Sequence, residues 1–159
     1  AEAERRGQAI ATVHAALSQN VDESVDFDEV ARTIVRMAGA IASTDHSVEV
    51  ITTGSFGTIQ ADQAQALATV LNELVANSVE HGLADRDGLI EVRAEREGTS
   101  MTVTVADNGV GFVPGTPMSG LGTQIVHQMV RGELKGSIEW APREGGGTLV
   151  TLHANLDPA

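Results

Sequence analysis

A carboxylate, an amide and an imidazole recur at four-residue spacing in the stretch 71–82. Glu73, Asn77 and His81 occupy positions i, i+4 and i+8. At about 100° per residue, this spacing places the three side chains on one stripe of an α-helix. Carboxylate and amide oxygens suit a hard, hydrated cation such as Mg²⁺. The stripe predicts either one side of a cation-binding pocket or, with equal weight, a partly exposed polar helix edge.

A further acid ends a stretch with strand-like alternation. Met101, Val103 and Val105 share the parity of Asp107, so its carboxylate is directed towards the buried side of the predicted strand. A buried acid costs free energy unless it accepts hydrogen bonds. An exocyclic amine, such as that of adenine, is a suitable donor. Asp107 is therefore a candidate contact for a purine base.

Two Gly-x-Gly pairs follow that predicted strand. Gly109 and Gly111 come directly after it, and Gly120 and Gly122 flank Leu121 where a helix is predicted to begin. The free N–H groups and the dipole of a helix N-terminus favour phosphate. Either pair alone is a weak indicator, because Gly-x-Gly occurs by chance in many loops. The second pair is a candidate phosphate contact.

Thr148 follows the glycines at 145–147 and begins the last predicted strand. Competing motifs are absent from the sequence: the P-loop, the dinucleotide fingerprint Gly-x-Gly-x-x-Gly, the eukaryotic protein kinase signature and His-Glu-x-x-His. The remaining histidines are scattered, and we predict surface or core-edge positions for His14, His46, His127 and His153.

Apolar periodicity predicts two helices before the candidate site. In the first, over 2–19, a narrow stripe of Ile10, Val13 and Leu17 favours a coiled contact with a second copy or, equally, packing on its own domain. A polar linker over 20–26 follows. The second helix runs to about residue 42. Asp26 or Asp28 is its predicted cap.

The remaining pattern alternates short strands with two helices. Their order predicts an α+β two-layer sandwich, with a mixed, mostly antiparallel sheet covered on one face by helices and preceded by a helix. The predicted strands are 46–52, 58–60, 89–97, 100–107, 133–140 and 148–154, and the predicted helices are 61–82 and 123–131.

Composition limits the classes of partner. The chain has 159 residues, no cysteine and a net charge of −12 with only ten Lys plus Arg, which argues against nucleic acid or an anionic membrane as partner. An anionic ligand must therefore be held by backbone amides, helix ends and a metal. Without a long apolar run or a signal-like start, we expect a soluble, cytoplasmic segment. Because the chain begins at Ala1 and not at Met, we expect a fragment or processed chain.

Four segments together resemble the sequence boxes of the GHKL ATPases, the superfamily of gyrase, MutL and sensor histidine kinases. Residues 72–81 resemble the N box, 107–112 the first glycine box, 120–126 the second glycine box and 147–150 the terminal Gly-Thr strand. They occur in family order and spacing over about residues 45–154. The resemblance implies the Bergerat ATP-binding fold.

Within this superfamily the chain is most similar to the catalytic domain of bacterial sensor histidine kinases. Residues 4–18 resemble the end of the dimerisation helix in the HWE-like subfamily, and the chain resembles an actinobacterial type that signals through phosphorelays. This implies a dimerisation-helix end over 1–20 and an ATP-binding catalytic domain over 27–157. The implied partners are ATP, a histidine-bearing dimerisation helix of the same protein, a response regulator and a second copy in the full-length homodimer, without nucleic acid or direct membrane contact.

The resemblance also implies a role for each candidate residue. Asn77 would bind Mg²⁺, and Glu73 would lie in the outer shell of the metal or polarise a water. His81 would lie near the phosphates. Asp107 would hold the adenine amine, with Thr148 joining through a water.

The glycines would allow the nucleotide to approach the backbone closely. Gly109 and Gly111 would face the base. Amides for the phosphates would come from Gly120, Leu121 and Gly122, at the base of a lid over about 110–119.

Two positions depart from the family pattern. Glu80 stands where many relatives have Lys, and His14 lacks the surroundings of a phosphoacceptor histidine. We therefore expect this chain to bind ATP but not to phosphorylate itself. The alternatives are an anti-sigma-type serine kinase, a non-catalytic module whose lid closes on ATP to regulate a partner, and an α/β domain with glycine loops and no ligand.

Overall fold

The computed structural model describes residues 24–42, 46–83, 86–111 and 121–158. The predicted first helix, His14, Gly120 and the predicted lid beyond Gly111 lie outside the described residues. Within the described ranges, no helix combines the length and the apolar character that crossing a membrane requires.

Three α-helices and seven strands form the described part of the chain. In chain order they are β1 (Ser24–Asp26), α1 (Phe27–Ala42), β2 (Val48–Gly54), β3 (Thr58–Gln60), α2 (Ala61–Asn77), a π-helical turn (Ser78–Gly82), β4 (Gly88–Glu97), β5 (Ser100–Asp107), α3 (Leu121–Gly132), β6 (Ser137–Pro142) and β7 (Thr148–Asn155).

A five-stranded mixed sheet carries the helices, in the order β2-β4-β5-β7-β6. Strand β2 runs parallel to β4, and every other pair in this sheet is antiparallel. Strands β1 and β3 form a separate antiparallel pair. The predicted α+β fold with a mostly antiparallel sheet is therefore confirmed.

The core lies between the sheet and the helices and is mainly aliphatic. On β5 the predicted alternation holds, because Met101, Val103 and Val105 are buried while the residues between them are partly exposed. The rings of Phe27 and Phe56 meet at 5.2 Å between centroids where α1 begins. Strand β5, which carries Asp107 at its end, is held in this core by its buried residues.

Helix α2 is buried over most of its circumference. The predicted core face is confirmed by its buried members: Leu67, Val70, Leu71, Leu74 and Ser78. The prediction of one α-helix to Gly82 is wrong, because the α-helix ends at Asn77 and a π-helical turn continues the chain. The N–H of Leu83 donates to the carbonyl of Ser78 at 2.7 Å, which is an i+5 to i hydrogen bond. Beyond Asn77 the 100° step no longer applies.

The larger of the other differences from the predicted boundaries concern β1 and β6. Residues 24–26, expected in a polar linker, form β1 and pair with β3. Strand β6 begins at Ser137, four residues later than predicted, because the end of α3 continues into a turn. In that turn the N–H of Gly136 donates to the carbonyl of Val130 at 2.9 Å. Lys135, three residues beyond the end of α3 at Gly132, adopts a φ of 52° in this turn.

The start of α1 and the start of α2 are each fixed by a polar side chain. The N–H of Asp28 lies 3.4 Å from Oδ1 of Asp26, so Asp26 is the cap, whereas Asp28 accepts a hydrogen bond from the N–H of Phe56 at 2.6 Å. The buried Gln63 donates to the carbonyl of Glu133 at 2.8 Å and accepts from the N–H of Asp157 at 2.7 Å. Gln63 thereby ties α2 to the end of α3 and to the segment after β7.

Candidate active site

The Asp107 carboxylate lies at the end of β5 and is only 2% exposed. Its Oδ1 accepts hydrogen bonds from the N–H of Gly109 at 3.0 Å and from the N–H of Thr148 at 3.3 Å. Burial raises the pKa of Asp107, while these two hydrogen bonds and the positive charge of Arg143 lower it. The Oδ2 atom accepts no hydrogen bond from the described residues, so it remains available for a donor from a ligand.

The turn before β7 packs directly on the backbone of Asp107. Gly147 has a φ of 105°, and a Cβ atom added to it would lie 1.9 Å from the carbonyl oxygen of Asp107. Gly111 approaches the same turn, because its added Cβ would lie 3.2 Å from the carbonyl oxygen of Gly147. The structure thus brings the two predicted glycine segments, 107–111 and 147–148, into one cluster.

The segment that follows α2 also contacts this part of the sheet, at Gly88, where β4 begins. A Cβ atom added to Gly88 would lie 2.3 Å from Cδ2 of Leu83 and 2.9 Å from Oδ1 of Asn108. Asn108 in turn accepts a hydrogen bond from the N–H of Leu89 at 2.8 Å. Since Leu83 follows the π-helical turn and Asn108 follows Asp107, the N-box segment and the first glycine segment adjoin.

The three residues of the predicted polar stripe, Glu73, Asn77 and His81, differ in how far they are buried. Glu73 is only 2% exposed, Asn77 is half-buried, and His81 is exposed in the π-helical turn. Glu73 and Asn77 are one helical turn apart and offer oxygen donors. The described residues contain no group of three or more acidic or histidine side chains that could hold a metal. The amide oxygen of Asn77 and the carboxylate of Glu73 are ligand types that Mg²⁺ accepts from proteins, where waters and substrate phosphates complete its shell.

Helix α3 begins at Leu121, directly after Gly120, which lies outside the described residues. Gly122 and Thr123 are buried in its first turn, and that turn carries no acidic residue. Helix α3 packs beside α2 and against β6. Its unpaired N-terminal amides are therefore the kind of group that binds phosphate.

The other described histidines have surface or core-edge positions, as predicted. His46 is exposed, with Nδ1 lying 3.6 Å from Oδ1 of Asp87. His127 on α3 is half-buried, and its ring centroid lies 5.4 Å from that of Trp140 on β6. His153 is exposed, with its Nδ1 3.1 Å from the hydroxyl of Thr102.

An open groove of about 400 Å³ lies elsewhere, between the outer sides of α2 and α3. We do not assign this groove as the functional site, because its lining contains none of the predicted site residues. The groove is lined by Asp62, Gln65, Ala66, Thr69, Met129 and Glu133.

Sequence reasoning assigned no role to three residues that shape the cluster around Asp107. Asn108 and Gly147 are next to the predicted site residues Asp107 and Thr148, and this adjacency in the sequence indicated that they could contact the site. Arg143 had no such signal, because its proximity depends on the pairing of β6 with β7 and on the turn between them.

These features define a GHKL-type ATP-binding domain: a mixed sheet under three helices, and a buried acid at a strand end surrounded by glycines. Residues 62–158 match the family described as histidine kinase-, DNA gyrase B-, and HSP90-like ATPase, and the chain belongs to this family.

Within this family, the chain is similar in sequence to sensor histidine kinases. The chain is 38% identical over 156 residues to the sensor histidine kinase PdtaS of Mycobacterium tuberculosis. The alignment covers 95% of this chain but 31% of that protein, so the chain spans about a third of the length of the curated relatives it matches. A partial similarity to the anti-sigma F factor of Clostridium kluyveri, 32% identical over 51 residues, covers 32% of this chain.

The fold has the same shape as solved histidine kinase domains. The histidine kinase domain of the blue-light activated histidine kinase from Erythrobacter litoralis EL346 superposes with a TM-score of 0.81 at 22% identity, covering 96% of this chain and 74% of that one. The expected histidine kinase-type ATPase domain is confirmed by the family match and by the names of the relatives.

Proposed function

We propose that this domain binds Mg·ATP and transfers the γ-phosphoryl group to a histidine on a dimerisation helix of the same protein. The bond between the γ-phosphorus and the β,γ-bridging oxygen breaks as an imidazole nitrogen bonds to phosphorus, and ADP leaves. Such a transfer depends mainly on positioning and electrostatic stabilisation. Residues 27–157 are the catalytic unit in this proposal, and 1–20 belong to the dimerisation helix.

The geometry of Asp107 is the observation that carries the proposal. Because two backbone N–H groups bind Oδ1, the orientation of the carboxylate is fixed and Oδ2 is left to accept from a ligand. The exocyclic amine of adenine has the matching donor. Thr148 lies beside Asp107 and joins through a water, while Gly109 and Gly111 leave room for the base.

The phosphates are proposed to lie between the end of α2 and the start of α3. Asn77 and Glu73 supply oxygen donors towards Mg²⁺, which neutralises phosphate charge when bound. Glu73 acts from the outer shell of the metal or polarises a water, and His81 lies near the phosphates. The amides of Gly120, Leu121 and Gly122 hold phosphate oxygens.

The main competing function is that of an anti-sigma-type serine kinase. The partial similarity to an anti-sigma F factor favours it, but that similarity covers 32% of this chain, against 95% for the sensor histidine kinase. The two functions differ in the residue that is phosphorylated. The product is an acid-labile phosphohistidine in one case and an acid-stable phosphoserine in the other.

Two measurements test the proposal. Calorimetric titration of the chain with ATP, with and without Mg²⁺, is expected to show Mg²⁺-dependent binding. A dimerisation helix with its histidine, supplied in trans with radiolabelled ATP, is expected to acquire an acid-labile label. Mg·ATP binding without any transfer would favour a non-catalytic module, and no ATP binding at all would overturn the proposal.

A further inference from the structure

Asn108 is exposed and precedes Gly109, and the two form the only Asn-Gly pair in the sequence. Glycine has no Cβ atom, so its backbone nitrogen can reach the side chain of the residue before it. In such a pair the nitrogen can attack the carbon of the side-chain amide, and the asparagine then loses ammonia. Asn108–Gly109 is therefore a candidate for this spontaneous reaction, which is deamidation.

Both reacting groups of this pair are held by other residues. The N–H of Gly109, whose nitrogen is the nucleophile, donates to Oδ1 of Asp107 at 3.0 Å. The carboxamide of Asn108, whose carbon is attacked, accepts the N–H of Leu89 at 2.8 Å through its Oδ1. The first hydrogen bond must be lost before the nitrogen can attack, and the second resists rotation of the carboxamide. The reaction therefore requires a local opening of the strand end.

Asp107 also opposes the reaction by its charge. The attacking species is the deprotonated amide nitrogen of Gly109, which is an anion, and it would form beside the buried carboxylate of Asp107. Like charges repel strongly where water is excluded. Asp107 therefore withholds the Gly109 nitrogen both by a hydrogen bond and by electrostatic repulsion.

We propose that Asn108–Gly109 is a site of spontaneous deamidation, that the contacts of Asp107 and Leu89 set its rate, and that its isoaspartyl product disables the nucleotide site. In the first step the nitrogen of Gly109 bonds to Cγ of Asn108 and the Cγ–Nδ2 bond breaks. The Nδ2 amino group takes up the proton that the Gly109 nitrogen has lost and leaves as ammonia. Water then opens the cyclic imide at either carbonyl, which gives an aspartyl or an isoaspartyl residue at position 108.

The isoaspartyl product changes the backbone beside Asp107. Its main chain runs through the former side chain of Asn108, so one more atom separates position 108 from Gly109. The N–H of Gly109 is then displaced from Oδ1 of Asp107, which loses one of the two donors that orient it. Both products also add a negative charge next to Asp107. The loss of nucleotide binding rests on the proposed function, in which Asp107 holds adenine.

The modification is measured by peptide mass mapping after incubation at mildly alkaline pH, in the native chain and in urea. Trypsin cleaves after Arg93 and so separates the Asn108 peptide from Asp87–Gly88, a pair that can form the same imide without a change in mass. Asn155 is the internal reference, because it is exposed but is followed by a bulky leucine. Chromatography then separates the isoaspartyl form of the whole chain for titration with ATP.

Two substitutions of Asp107 separate the hydrogen bond from the charge. D107A removes both, whereas D107N removes the charge and keeps an oxygen that can accept from Gly109. The matched control is E95Q, because Glu95 is an exposed carboxylate of β4 whose partner is Arg93 at 2.9 Å. Each native rate is corrected for the unfolded fraction found by urea unfolding, so a variant that is only less stable does not count as a faster one.

We expect Asn108 to deamidate at least about tenfold more slowly in the native chain than in urea, because a charge-assisted hydrogen bond must open first. In the native state D107A should react about tenfold faster than the wild type, with D107N between them and E95Q equal to the wild type. Asn155 should stay unmodified over the same period. The separated isoaspartyl form should bind ATP at least about tenfold more weakly than the unmodified chain.

The outcomes separate this inference from the proposed function. Equal deamidation rates in the native chain and in urea would overturn the inference, and so would equal native rates for the wild type and both Asp107 variants. D107N decides the second comparison if D107A does not fold. An isoaspartyl form that binds ATP as tightly as the unmodified chain would overturn the effect on the site. If the unmodified chain binds no ATP, the proposed function fails, while the deamidation rates still test the contacts of Asp107 and Leu89.

Discussion

The amide nitrogen of Thr148 lies 3.3 Å from Oδ1 of Asp107, which joins two residues 41 positions apart in the sequence. Because the two residues are far apart in the sequence, local structure cannot bring them together, and the hydrogen bond depends on the pairing of β5 with β7. It leaves Oδ2 as the acceptor for a ligand. If Asp107 holds adenine as proposed, recognition of the base would therefore depend on the assembled sheet.

We expect Asp107→Asn to abolish most nucleotide affinity without unfolding the domain. The Asn amide still offers Oδ1 to Gly109 and Thr148, but it presents a donor in place of Oδ2. Loss of a charge-assisted hydrogen bond predicts a weakening of ATP binding by about 10- to 100-fold. Calorimetric titration measures it, and wild-type affinity in this variant would refute the adenine role.

The same substitution has a predicted sign in stability. Burial raises the folded-state pKa of Asp107 above its ordinary value of 3.8, so the folded protein binds this proton more tightly than the unfolded chain does. The contribution of Asp107 to stability is therefore largest below pH 3.8 and falls as the pH rises through the folded-state pKa. Asp107→Asn should lack this fall. Urea unfolding from about pH 4 to pH 7 would show the two curves differing in slope only in that window.

Asn77→Ala should separate metal-dependent from metal-free binding. We expect the affinity for Mg·ATP to fall by at least about tenfold, with little change in the affinity for ATP in the presence of a chelator. The matched control is Gln65→Ala, an exposed polar position on the same helix. Equal losses with and without Mg²⁺ would contradict the metal role of Asn77.

Glu73→Gln should separate binding from chemistry. The substitution keeps the shape of a buried side chain, so ATP affinity should stay within about threefold of the wild type, whereas transfer to a histidine supplied in trans should fall by at least about 100-fold. Single-turnover transfer assays at saturating ATP measure the difference. A variant that transfers phosphate at the wild-type rate would remove Glu73 from the mechanism.

Gly147→Ala and Gly145→Ala form a matched pair. Both glycines have a positive φ, so either alanine costs about 1–2 kcal/mol of backbone strain. Only at Gly147 does the added methyl group meet the carbonyl of Asp107, whereas a Cβ at Gly145 meets nothing within 4 Å. We expect Gly147→Ala to lower the unfolding free energy by more than about 3 kcal/mol and to lose ATP binding. Similar stabilities for the two variants would contradict the close approach at Gly147.

Periodicity predicted the elements well where one face is buried and the other is exposed. Strand β5 was predicted with its observed bounds because Met101, Val103 and Val105 alternate with polar residues. Strand β1 was missed because Val25 is its single buried residue and its partner β3 is distant in sequence. The π-helical turn was missed because no residue type distinguishes it from an α-helix.

The site was predicted to the extent that its residues lie in recognisable local patterns. The parity of β5 predicted the buried Asp107, and the glycine pairs indicated backbone that approaches closely. Periodicity put His81 on the same stripe as Glu73, yet the structure buries Glu73 and exposes His81 because the helix changes type between them. Arg143 was not predicted, since its place depends on the fold of a distant turn. The roles of all these residues in nucleotide binding stay predictions.

The contact between His127 and Trp140 gives the molecule an internal optical probe. Trp140 is the single tryptophan of the chain, and its ring lies 5.4 Å from an imidazole on α3, the helix whose first turn is proposed to hold phosphate. Any rotation or sliding of α3 over β6 changes the surroundings of that one indole. Its emission can therefore follow the seating of the helix in real time in the unlabelled protein.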